Sequence, residues 1–147
     1  MKSKGFTLIE LLAVIVILAI IALIATPTIL GVVETARKGA AESSILGFID
    51  AVEKQVMINE MDDVATNNVT NGTYNVTATG IQNTEAGSTN IAIGVKGQRP
   101  DTSTSPFTIT NGEIQDSVFK LGKYYVTYTQ STGKASASTT APTTPGE

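Results

Sequence analysis

Glu10 is the residue with the most chemistry to account for: a carboxylate at the head of a run, Leu11 to Val33, that carries no other charge. In a hydrocarbon layer such a group costs about 2.5–3.5 kcal/mol on insertion scales, so it must take a partner or a proton. Elsewhere the reactive residue types are missing. The chain has no Cys and no His, which removes thiolate nucleophiles, disulfide staples, zinc–thiolate sites and imidazole bases. An enzyme would have to work with a carboxylate pair or a Ser-Lys pair, and no spacing favours either. There is no phosphate-binding loop and no metal triad, so the chain reads as a non-enzyme without a cofactor. Asp62, Asp63 and Asp116 match no calcium-loop spacing and read as solvated loop acids. The triplets beginning at Asn68, Asn71 and Asn75 fit the glycosylation acceptor pattern and are read as chance matches in a Thr- and Asn-rich region. A net charge of −3 with scattered basic residues argues against a nucleic-acid groove.

The elements that must hold Glu10 are legible around it. Leu11 to Val33 is mostly Leu, Ile, Val and Ala. As a helix it would extend about 35 Å at roughly 1.5 Å per residue, enough to cross a hydrocarbon core of about 30 Å. A buried helix of a soluble domain rarely runs so far without a polar face. A secretory signal would place a small-residue cleavage site after a shorter apolar stretch. Lys2 and Lys4 precede the run, which puts the N-terminus in the cytoplasm and the bulk of the chain outside a single-pass membrane anchor.

After Val33 the pattern turns amphipathic. Ala41, Ile45, Phe48, Ile49, Val52 and Val56 recur at spacings of three and four, one apolar stripe for packing against a sheet. One helix from about Thr7 to about Asn59 is therefore predicted. Pro27 and Gly31 interrupt it. Proline in a helix interior removes a hydrogen bond and costs ~3 kcal/mol or more, and glycine adds backbone freedom. The pair marks either a tolerated kink or a place for local unwinding.

From Met61 the signals become those of turns and strands. Thr73 to Thr79, Ile91 to Val95 and Tyr124 to Tyr128 alternate, and Phe107 and Ile109 lead into Asn111-Gly112, a tight-hairpin dipeptide. Gln82 to Asn90 and Lys96 to Ser105 read as loops, and Ser131 to Lys134 as a turn. The predicted fold class is α+β: a long N-terminal helix packed on a small antiparallel sheet of about four to five strands. The organisation follows as an apolar helix half over 6–33, an amphipathic half over 34–60, a globular head over 61–140 and an unstructured tail over 141–147.

Lys4-Gly5-Phe6-Thr7-Leu8-Ile9-Glu10, running straight into the apolar segment, resembles the class III signal of type IV prepilins and pseudopilins. The resemblance covers about the first 55 residues; the strand region matches only in kind, and the Cys pair that closes a C-terminal loop in many relatives is missing, as in Cys-free pilins of Gram-positive bacteria. It implies that a membrane prepilin peptidase removes 1–5 by cutting between Gly5 and Phe6 and N-methylates the new amine. It further implies that an assembly ATPase and a platform protein then draw subunits from the membrane into an extracellular homopolymeric filament. In such a filament Leu11, Leu12, Val14, Ile15, Ile17, Leu18, Ile20, Ile21 and Leu23 would pack helix against helix, Pro27 and Gly31 would permit unwinding, and Glu10 would pair with the Phe6 amine of an adjacent subunit. The expected function is a type IV pilus subunit. A pseudopilin of a type II secretion or DNA-uptake system, or a single-span anchored binding module, are the alternatives.

Overall fold

The computed structural model describes residues 5–61, 69–85, 87–102 and 105–142. Met1 to Lys4 of the leader, Asp62, Asp63 and Asn68, and 143–147 of the expected tail lie outside the described residues. The chain forms two compact units, Met1–Arg37 and Lys38–Glu147. The helix α1, Leu8–Met61, contributes to both.

In the first unit α1 is apolar on every side, and its Leu, Ile and Val side chains are exposed. Helix continues through Pro27 and Gly31. Pro27 has no N–H to give the Leu23 carbonyl one turn back. The hydroxyls on either side of it bond back one turn: Thr26 donates to Ala22 O (2.7 Å) and Thr28 to Ile24 O (3.5 Å), while Thr35 donates to Gly31 O (3.1 Å). Side-chain hydroxyls bonded to the preceding turn are how apolar helices tolerate such breaks. A Cβ added at Gly31 would meet nothing within 4 Å, so packing within this chain does not require glycine there.

In the second unit the expected antiparallel sheet has five strands, and a second sheet of three accompanies it. The strands are β1 (Gly72–Val76), β2 (Gly80–Asn83), β3 (Asn90–Ala92), β4 (Phe107–Thr110), β5 (Glu113–Ile114), β6 (Ser117–Leu121), β7 (Tyr124–Thr129) and β8 (Lys134–Ser138). Their order is β3-β2-β1-β4-β5 in the first sheet and β6-β7-β8 in the second. Every pairing is antiparallel. Asn111-Gly112 joins β4 to β5 with φ of 54° and 81°, the left-handed pair that a two-residue hairpin of this kind needs. Two strands were not expected from the sequence. β2 begins at Gly80, where a Cβ would lie 1.7 Å from the Ile91 carbonyl oxygen, so only glycine lets β3 approach. β6 carries Val118, Phe119 and Leu121 and turns back through Gly122-Lys123.

The six stripe residues Ala41, Ile45, Phe48, Ile49, Val52 and Val56 are all buried. Phe48, fully buried, meets Phe107 of the first sheet edge-on at 5.8 Å and Phe119 of the second at 5.7 Å. Phe107 and Phe119 also touch, at 5.8 Å, and Tyr74 stacks on Phe107 at 5.9 Å. One helical side chain thus joins both sheets. Aromatic pairs of this geometry add about 0.5–1.5 kcal/mol each beyond area burial.

Two glutamates on α1, about three turns apart, reach the sheet edges. Glu42 accepts a hydrogen bond from the backbone N–H of Ala137 in β8 (2.8 Å), and Glu53 accepts one from Ile114 in β5 (3.2 Å). Both are edge strands, whose outward N–H groups would otherwise stay open for pairing with another chain. Desolvation raises the proton affinity of Glu53, the Ile114 N–H opposes that shift, and the nearby Glu113 and Asp50 charges add to it.

Phe48→Ala should destabilise the second unit by about 3–5 kcal/mol, measured as the urea midpoint of the full chain in detergent micelles. A loss near zero would show that the sheets hold together without it. Glu53 has a raised folded-state pKa, so the folded state favours its protonated form and the contribution is lost as pH rises through that pKa. Glu53→Gln keeps an acceptor for Ile114 and should raise the melting temperature at pH 7. That advantage should shrink as pH falls toward the ordinary carboxylate value of about 4.3.

Candidate functional site

Residues 5–7 precede the helix without regular structure, and Phe6 is 91% exposed. The Gly5–Phe6 peptide bond therefore lies in irregular, accessible backbone, the form an extended peptide must take to enter a protease cleft. A Cβ at Gly5 would meet nothing within 4 Å. Among the described residues nothing calls for glycine at that position.

Helix begins immediately beyond. The Leu11 N–H donates to the Thr7 carbonyl (3.2 Å), and Thr7 stands at the cap position. Its hydroxyl lies 3.3 Å from the Glu10 N–H, which donates to it. Glu10 answers: its carboxylate oxygen Oε2 accepts from the Thr7 N–H and from the Thr7 hydroxyl, both at 2.8 Å. This is a reciprocal capping box, which satisfies orphan donors at a helix start. Its sequence signal, Thr7-Leu8-Ile9-Glu10, is a plain S/T-x-x-E spacing. The charge of Glu10 is the more conspicuous signal and masks this role in the sequence.

From that cap onward Leu11, Leu12, Val14, Ile15, Leu18 and Ile21 are all more than half exposed. α1 is long and apolar enough to cross a membrane. Ile21, Ile24, Ala25, Thr28 and Ile29 line a shallow depression beside Pro27. The stripe residues from Ala41 to Val56 serve a different purpose, since they form the core of the second unit with Tyr74, Phe107 and Phe119.

Of the acids considered for a metal, Asp116 accepts a hydrogen bond from the Gln130 N–H (2.8 Å) and so fixes the turn after β7. Asn71 Oδ1 accepts from the Asn111 N–H (2.8 Å), a hairpin brace. The edge contacts of Glu42 and Glu53 gave no sequence signal, because they join residues far apart in the chain.

Neither the comparison with curated proteins nor that with solved structures gives a match. A family model does match at the N-terminus, over residues 1–26, and it is described as the prokaryotic N-terminal methylation motif. That segment holds the Gly5–Phe6 junction, the Thr7–Glu10 cap and the first turns of the apolar helix, and the motif is of the kind found in the class III signal of type IV pilin-like and pseudopilin proteins.

Proposed function

We propose that the chain is a structural subunit of a type IV pilus, assembled through its N-terminal helix into a surface filament for adhesion, motility or biofilm formation. In this reading the chain catalyses nothing. Prepilin peptidase hydrolyses the Gly5–Phe6 bond and methylates the Phe6 amine, and an assembly ATPase with its platform protein moves the subunit from membrane to filament. The observation that carries the reading is the motif match over residues 1–26, joined to a helix half whose apolar side chains stay exposed. Lipid covers that surface before assembly, and the same surface of neighbouring subunits would cover it afterwards, where β-branched side chains favour defined packing.

Glu10 supports assembly through a second role. Its carboxylate already receives two hydrogen bonds from Thr7, which holds it at the helix start instead of leaving it to snorkel. A carboxylate oriented there, four residues after Phe6, can accept the Phe6 amine of an adjacent subunit and set axial register. Charge pairing in an apolar surround is strong where the geometry is held. Pro27 and Gly31 give α1 a weak point at which helices crowded in a filament can unwind, since the Leu23 carbonyl lacks its usual donor.

An intact mass spectrum of the sheared filament fraction should show N-methyl-Phe6 to Glu147. Protein that stays in the membrane with Met1 to Gly5 attached would overturn the pilus reading, and a processed chain found only in a cell-envelope complex would favour a pseudopilin. Glu10→Gln separates the two roles of that residue, because glutamine can still cap the helix but carries no charge. Processed subunit with normal helix content and no filaments is the expected outcome; normal filaments would remove the charge pairing. Pro27→Ala should give filaments whose α1 is helical throughout, and an unwound segment persisting there would show that proline is not its cause.

A further inference from the structure

A cleft of about 670 Å³ opens along the seam between the two sheets of the second unit. Strand alternation explains its position. Tyr74, Phe107, Phe119 and Val126 point into the core beneath α1, so their neighbours point the opposite way. Thr73 faces Thr108 across the first sheet, and Val118 faces Thr127 across the second. These two cross-strand pairs, with Tyr125 between β7 and the described end of the chain at Pro142, line the cleft. It opens on the sheet faces turned away from α1, and covering the helix would leave it accessible.

The lining has a definite chemistry. Tyr125 is half-buried and offers an aromatic surface. The Thr73, Thr108 and Thr127 hydroxyls give donors and acceptors that rotate to suit a ligand. Asp116 has Oδ1 occupied by the Gln130 N–H, which leaves Oδ2 to accept. No lysine or arginine is among the described residues of the lining; Lys120, opposite Tyr125 on β6, holds its Nζ 6.0 Å from the Tyr125 ring centroid, over one face of the ring. Asp116 is the one acidic side chain among the described residues of the lining. Its carboxylate accepts hydrogen bonds and offers an anionic group no partner. A neutral ring with an apolar face and hydroxyls around its edge satisfies every one of these groups, and the volume lies within the ~300–1,000 Å³ of small-molecule sites.

We infer that this cleft binds a neutral pyranose, its apolar face on Tyr125 and its hydroxyls toward the threonines and Asp116. The site depends on the second unit alone and stands whether or not the chain enters a filament. Saturation-transfer NMR on the full chain, in a detergent without a sugar headgroup, tests it with glucose, galactose, mannose and N-acetylglucosamine as probes. At least one sugar should receive saturation at its ring protons with a millimolar dissociation constant. Tyr125→Ala should weaken it at least tenfold and Tyr125→Phe should preserve it. Thr127→Val, which removes one outward hydroxyl and leaves the core untouched, should weaken it severalfold and serves if Tyr125→Ala fails to fold. N-acetylneuraminate should not compete. No transfer to any of the four sugars would overturn the inference, as would unchanged binding in the folded variants or competition by the acidic sugar.

Discussion

The second unit depends on one buried side chain. Phe48 is the point where α1, the five-stranded sheet and the three-stranded sheet meet. Neither sheet closes on itself, and a sheet left with one apolar face uncovered is not stable in water. A single helical stripe must therefore serve both. Ile45, Ile49, Val52 and Val56 extend the contact along the helix, and an aromatic ring at the centre lets it touch two differently placed phenylalanines at once. Such a site tolerates little change in volume, because interiors packed to crystal density relax only in part.

Burial of the stripe leaves the sheet edges to be managed. The chain has no disulfide to close them, since it has no cysteine. Glu42 and Glu53 take up an outward N–H from β8 and from β5, and so occupy groups that would pair with a neighbouring strand. The arrangement has an electrostatic cost. Desolvation raises the proton affinity of Glu53, and the nearby Glu113 and Asp50 charges add to that. At neutral pH the ionised form is held against that repulsion by its bond to Ile114.

The first unit works on the opposite principle. It keeps its apolar surface outward and satisfies only its backbone: a capping box at Thr7 and Glu10, and threonine hydroxyls bonded to the preceding turn around Pro27. A segment that meets its internal polar demands, the Leu23 carbonyl at Pro27 excepted, and no apolar one is suited to a surround that supplies the apolar contact, either lipid or other helices. Glu10 is the exception, and the cap gives it a partner within its own chain.

The local pattern determined a good deal by itself. The long helix, the change at Val33 from all-round apolar to a single stripe, and the Asn111-Gly112 hairpin follow from spacing and turn chemistry, because each is set by residues within a few positions of one another. The methylation motif over residues 1–26 is a linear signal and is read directly. The capping box is also written in the sequence, in the spacing of Thr7 and Glu10. Tertiary structure alone decided the rest. β2 and β6 are short strands whose patterns are weak until β3 and β7 pair with them, and Gly80 is required only because the Ile91 carbonyl comes so close. The split into two sheets, the meeting of Phe48 with both, the edge contacts of Glu42 and Glu53 and the cleft along the seam all join residues tens of positions apart. No local propensity specifies such contacts; they exist because one stripe had two faces to cover.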